Sequence, residues 1–277
     1  MSTFAADRSE QAREAVMNAV RAKISNHPRS QQKRIGPSEI GNPCDRRIGY
    51  KLLGQPERER GDAWKPTVGT AVHAWLERAL DDEDQALVIA AKGMLGDDQL
   101  TWITEKRVTV GYLADGTPIT GSCDAYHRPT RTIIDHKVVG VASLRDKKAN
   151  GPGEQYRAQV HLYAAGFVMA GIPVDAVAIN FMPQNGNLTD AWWWSEPFDF
   201  ARAAQAIGRL RAIEAHITQA GSVEGLPAVE AWCSFCPFHT PGSTDLQAGC
   251  PGLSEPRSGG FAHMVEAPTI TQGSKAS

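Results

Sequence analysis

The sequence predicts an α/β fold: a mixed central sheet flanked by helices, with a cysteine-bearing segment closing over one side. Three observations predict it. Apolar residues recur at helical spacing over 5–24, 44–54 and 67–80, and helical pattern returns over 154–171 and 199–220. Between these blocks, residues 102–139 change to β-branched runs separated by turn signals, and two more strand-like runs follow Gly171 and Pro173.

Taken in order, Ala12, Val16, Val20 and Ile24 give the first helix an apolar face, and the basic connector SNHPRSQQKRIGPS follows. The short helix CDRRIGYKLLG is entered through Asn42-Pro43 and stopped by Gly54, and residues 55–66 form an exposed loop. Val68, Val72, Trp75, Leu76 and Ala79 mark a helix over 67–80, after which DDED caps the turn into another short helix. WITEKRVTV, PITGSCDAYH and TIIDHKVV form an antiparallel meander turned at Asp115-Gly116 and Pro129-Thr130. VDAVAINFMP and DAWWWSEPF are two more strands around Asn185-Gly186. The organisation is an N-terminal helix and linker (1–35), one main domain (36–252) and a Ser/Gly/Pro-rich disordered tail (253–277).

The 277 residues and 42% hydrophobic content suffice for a substantial core. A net charge of −2 gives no global pull toward nucleic acid, so any contact with it must come from local basic patches. No apolar run is long enough to span a membrane, and MSTFAADRSEQAREAV lacks the apolar stretch of a secretory signal. The expected setting is a reducing cytoplasm, where grouped cysteines favour a metal over disulfides.

Asp135-His136-Lys137 lies in the third meander strand, where period-2 geometry puts Ile133, Asp135 and Lys137 on one face. A symmetric four-residue loop around Pro129-Thr130 sets Asp124 directly opposite Asp135. Two facing carboxylates repel unless a cation lies between them, and hard cations such as Mg²⁺ or Mn²⁺ prefer such ligands. Lys137 could position or deprotonate a metal-bound water, or neutralise a phosphate, which suits phosphodiester hydrolysis. Taken alone, so short a motif is better read as a solvated sheet face.

Their neighbours decide between these readings. His73 lies in GTAVHAWLERAL, and Gln159 and Tyr163 share a helix face in YRAQVHLYAAGF. With GSCDAYHRPTRTIIDHKVVG, the order is His73, Asp124, Asp135-His136-Lys137, Gln159, Tyr163. Over residues 36–252 the chain resembles the RecB-like branch of the PD-(D/E)xK nuclease superfamily, most closely its CRISPR-associated and phage exonucleases. The resemblance implies a restriction-endonuclease-like core and a metal-dependent DNA exonuclease. It implies that His73, Asp124, Asp135 and the His136 carbonyl ligate Mg²⁺ or Mn²⁺. Lys137 would be the catalytic lysine, and Gln159 and Tyr163 would orient the strand. It further implies single-stranded or duplex DNA ends as substrate, recombination or CRISPR-adaptation proteins as partners, and a bacterial host cytoplasm. Asp135 stands where many members have Glu. Glu105 is a possible addition to the site.

Cys233-x2-Cys236, with Cys250 and the remote Cys44, offers four thiolates, which fit a [4Fe–4S] cluster or a tetrahedral Zn²⁺. One early and three late cysteines match the cluster-bearing branch and favour iron. The thirteen residues between Cys236 and Cys250 depart from it, since that pair is commonly closer. Cys123 is read as a core residue. Arg145, Lys147, Lys148 and Arg157, with Arg128 and Arg131, are candidate phosphate contacts, and 141–153 is expected to be a mobile loop over the DNA. Of Trp192, Trp193 and Trp194, two are expected in the core and one at an edge.

Overall fold

The computed structural model describes residues 2–26, 34–58, 64–229 and 233–253. The helices are α1 (Ser2–Ser25), α2 (Pro37–Ile40), α3 (Asp45–Leu52), α4 (Trp64–Ala90), α5 (Val141–Asn150), α6 (Glu154–Met169) and α7 (Phe200–Ala220). The strands are β1 (Trp102–Tyr112), β2 (Pro118–His127), β3 (Thr132–Val139), β4 (Ala176–Pro183) and β5 (Trp192–Pro197). They form one sheet in the order β1-β2-β3-β4-β5. All neighbours are antiparallel except β3 and β4, which run parallel and need the crossover that α5 and α6 supply. The α/β architecture with a mixed sheet is therefore as the sequence predicts. Most of the connector, the middle of the 55–66 loop and nearly all of the expected tail lie outside the described residues.

The main core lies between the sheet and α6, with α7 behind it. Ile133, Val177, Ile179 and Phe181 project from the sheet onto Val160, Leu162 and Phe167 of α6, and all are fully buried. Small residues let α6 approach closely: a Cβ on Gly166 would meet Val108 Cγ2 at 2.8 Å and the Thr109 carbonyl oxygen at 3.0 Å. Ala125, Ile134 and Ala178 form a smaller cluster with Leu80 of α4 and Trp102. Cys123 is completely buried in the main core, and Trp192 and Trp194 are half-buried while Trp193 is 50% exposed.

Two segments differ from expectation. The helix over 67–80 does not end at DDED: α4 continues to Ala90, with no glycine or proline after Gly69 to break it. The acidic run clasps β1 instead. Asp84 is buried and accepts the backbone N–H groups of Thr101 (2.8 Å) and Trp102 (2.9 Å), while Glu83 accepts Trp102 Nε1 (2.7 Å) and Asp81 accepts Thr104 Oγ1 (2.8 Å). The expected loop over 141–153 is mostly α5, anchored by buried Leu144 and ended at Gly151, whose φ of +81° suits glycine.

Candidate active site

β2 and β3 keep the predicted register, with Ala125 opposite Ile134, Tyr126 opposite Ile133 and His127 opposite Thr132, across a four-residue loop. The pairing goes no further toward Asp124 and Asp135. The Asp124 carboxylate takes the His136 N–H at 2.7 Å, so a side chain replaces a strand partner where the ladder ends. The expected direct cross-strand pair is therefore replaced by a parting of the strands. Asp124 turns to His73 of α4, and Asp135 turns to Gln159 of α6.

The β1–β2 pairing is also interrupted here. Thr104 pairs with Ala125 and Lys106 with Cys123, while Glu105 and Asp124 between them make no ladder pair. Burial changes phase across this point: Cys123 and Tyr126 both belong to the main core, although three positions apart. Glu105 has φ +44°, a left-handed conformation that costs energy in a residue with a side chain. The irregularity brings ligand atoms of Glu105, Asp124 and His73 within 4.8 Å of one another, the one such His/Cys/Asp/Glu group among the described residues. The sequence singles out His73 and Asp124 through the resemblance and leaves Glu105 open.

Asp135 is 1% exposed, ion-paired with Lys137 Nζ at 2.5 Å and hydrogen-bonded by Gln159 Nε2 at 2.9 Å. Tyr163 lies one turn further along the same face of α6 and is buried. Tyr156, one turn earlier, sets its ring 5.2 Å from the Lys137 ammonium. His136 is buried, with Nδ1 3.3 Å from Asn180 Nδ2.

Charge is finely divided among these groups. Burial, reinforced by Asp124, pushes the Asp135 carboxyl up to about 6 despite Lys137. Burial disfavours the Lys137 ammonium, but the Asp135 and Asp124 carboxylates outweigh it and keep its pKa above the ordinary value. Burial likewise opposes charge on Asp124 and His73, yet their mutual attraction lowers the first and raises the second. Burial brings His136 down to about 4, which leaves its ring neutral near pH 7. It pushes the Tyr163 phenol far above its usual range.

The carboxylate oxygens suit Mg²⁺ or Mn²⁺, and the imidazole nitrogen of His73 favours the transition metal Mn²⁺ of the two. Two buried polar atoms in the site, His136 Nε2 and Gln159 Oε1, have no hydrogen-bond partner, as befits a place that receives a polar group. The residues present thus fit a divalent cation.

Of the candidate phosphate contacts, Arg145 and Lys148 are exposed on α5, Lys148 donating to the Asp190 carbonyl at 2.8 Å, and Lys147 pairs with Asp146 at 3.0 Å. Arg157 is not brought to the site: its guanidinium pairs with Glu196 and lies 5.6 Å from the Trp194 ring centroid.

Cys44, Cys233, Cys236 and Cys250 line one cavity, together with Tyr50 and His239. Four thiols gathered from both ends of the domain fit a metal or an iron–sulfur cluster in donor chemistry. Around them α3 is tied to the C-terminal segment. The Arg46 N–H donates to the Pro227 carbonyl at 3.1 Å, Tyr50 Oη to that of Leu246 at 2.7 Å, and Gln55 Nε2 to that of Gln247 at 2.9 Å.

No family model and no curated protein matches the chain. Among solved structures it is similar to the protein SSO0001 (16% identity, TM-score 0.48, covering 82% of this chain and 94% of that one). It is similar to an alkaline exonuclease from Laribacter hongkongensis (11% identity, TM-score 0.38, 68% and 89% covered). A phage-related exonuclease from Haemophilus somnus is also similar (13% identity, TM-score 0.33, 68% and 96% covered). These likenesses are distant, and the functional reading rests on the chain's own site.

Proposed function

We propose that the chain is a Mg²⁺- or Mn²⁺-dependent deoxyribonuclease of the exonuclease type. The observation that supports this most is the convergence of His73, Glu105 and Asp124 beside the buried Asp135–Lys137 pair. His73, Asp124, Asp135 and the His136 carbonyl would hold the cation, with Glu105 as an added carboxylate. When bound, such an ion polarises a phosphate and lowers the pKa of its water. Lys137, paired with Asp135, would position or help deprotonate the attacking water or neutralise charge on the phosphate. Gln159 fixes Asp135 from behind, and Tyr156 limits the travel of the Lys137 ammonium.

The exonuclease type, DNA ends as substrate, and a setting in phage or bacterial recombination, repair or CRISPR adaptation follow the resemblance of the sequence motifs. So does a [4Fe–4S] cluster in the cysteine cavity, acting as a structural tie rather than a redox centre. The test is anaerobic purification followed by digestion of end-labelled linear DNA with Mn²⁺. The wild type is expected to degrade it and to leave circular single-stranded DNA intact, and Lys137→Ala is expected to be inactive. Equal degradation by both proteins removes Lys137 from the mechanism.

A further inference from the structure

We infer that Asn42 and Gln155 are positioning residues that link the cysteine cavity to the candidate active site. The link rests on the proposals that the cavity holds a metal centre and that His73, Asp124 and Asp135 hold a divalent ion. It adds that the first centre helps to fix the second.

The route is a run of side-chain hydrogen bonds. Cys44 lies in the corner between α2 and α3, which Gly41, Asn42, Pro43 and Cys44 form. Asn42 is buried there, and its Oδ1 accepts the Cys44 N–H at 3.0 Å. Its Nδ2 donates to Oε1 of Gln155, in the first turn of α6, at 3.3 Å. Gln155 Nε2 donates back to the Ser38 carbonyl at 2.7 Å. Gln155 and Gln159 are four apart, so they stand one turn from each other on the same face of α6. Gln159 Nε2 then donates to Asp135 Oδ1 at 2.9 Å. One amide thus holds the backbone of a cavity cysteine with its oxygen, and the helix that grips Asp135 with its nitrogen.

The corner also meets α6 through its backbone. A Cβ on Gly41 would lie 2.6 Å from the Gln155 carbonyl oxygen and 2.8 Å from Ala158 Cβ, so corner and helix touch with no side chain between them. On its other side, Arg209 of α7 donates to the carbonyls of Ile40 (3.3 Å) and Asn42 (2.7 Å) and pairs with Asp45. This clamp holds the corner without using the Asn42 side chain. Removing the Asn42–Gln155 bond therefore frees the first turn of α6 while the corner keeps its place, which separates positioning from folding.

The experiment uses the full chain, purified anaerobically as wild type, Asn42→Asp, Gln155→Met, Gln155→Glu, Gln159→Ala and the double variant Asn42→Asp/Gln159→Ala. Iron and zinc are measured per chain, and Mn²⁺ affinity is measured by titration calorimetry. Asn42→Asp keeps the acceptor for the Cys44 N–H and loses the donor to Gln155, and Gln155→Glu keeps the acceptor that Gln155→Met removes. Iron or zinc is expected at the wild-type level throughout. Mn²⁺ affinity is expected to fall about 10-fold in Asn42→Asp and Gln155→Met and to stay near wild type in Gln155→Glu. Adding Asn42→Asp to Gln159→Ala is expected to cost nothing further, because both act on one route. Wild-type affinity in Asn42→Asp and Gln155→Met, an equal loss in Gln155→Glu, or additive losses in the double variant overturns the link while leaving both metal sites standing. Loss of iron or zinc from the variants also overturns it, since the bond then holds the fold rather than the helix. A wild type that binds no Mn²⁺, or carries no metal in its cavity, overturns the reading on which the link rests.

Discussion

At the scale of single residues, the site is held together by groups that each work against an ordinary preference. Glu105 sits in a left-handed conformation, Asp135 is a nearly inaccessible carboxylate, and Asp124 spends an oxygen on a backbone N–H. Such costs persist where the surroundings fix them, and they cluster at functional sites. Glu105→Gly is therefore expected to keep or raise the thermal midpoint, because glycine accepts φ +44° freely, while it lowers Mn²⁺-dependent activity. Thermal melts beside activity assays check this, and unchanged activity would take Glu105 out of the site. Gln159→Ala, which strips Asp135 of its hydrogen-bond donor, is expected to cost about 10–100-fold in activity or in Mn²⁺ affinity measured by titration calorimetry.

At the scale of elements, α6 carries the site by its closeness to the sheet. Gly166→Ala forces a Cβ against Val108 and the Thr109 carbonyl, and denaturant melts are expected to show a loss of about 1–3 kcal/mol. α6 is also joined to β5 through Glu196, which accepts from Arg157 and His161. Burial raises the Glu196 pKa, but those two partners outweigh it and hold it below the ordinary value. Its contribution to stability is thus complete above the ordinary carboxylate pKa and is lost as pH falls through the lowered one. Glu196→Gln is expected to flatten the acid limb of a stability–pH curve, and an unchanged limb would contradict this. The register of β2 and β3 was legible because apolar alternation and a symmetric loop fix it together. The parting of those strands at Asp124 was not, because a carboxylate competing for one backbone N–H leaves no mark on a period. The run 81–84 misled for a related reason: acidic residues suit a helix cap, and here they bind the N–H groups of a strand that follows much later in sequence.

At the scale of the whole molecule, two ties close the chain on itself. The acidic clasp joins α4, which carries His73, to β1, which carries Glu105. The cysteine cavity joins α3 to the C-terminal segment, closing a loop of nearly the whole domain. Cys233→Ala is accordingly expected to lose bound metal, solubility and activity together, as metal analysis and sedimentation of the lysate can establish. A soluble, fully active Cys233→Ala protein would contradict the structural tie. The grouping of Cys44, Cys233, Cys236 and Cys250 was visible in the sequence, and the four line one cavity. In the proposed site, carboxylates from two parted strands share a divalent ion with His73. The most direct measurement of this is anomalous scattering from crystals of the protein soaked in Mn²⁺. A single strong manganese peak bonded to His73, Asp124 and Asp135 is predicted. Crystals saturated with Mn²⁺ that carry no peak there, or only peaks that leave Asp124 or Asp135 unligated, would contradict it.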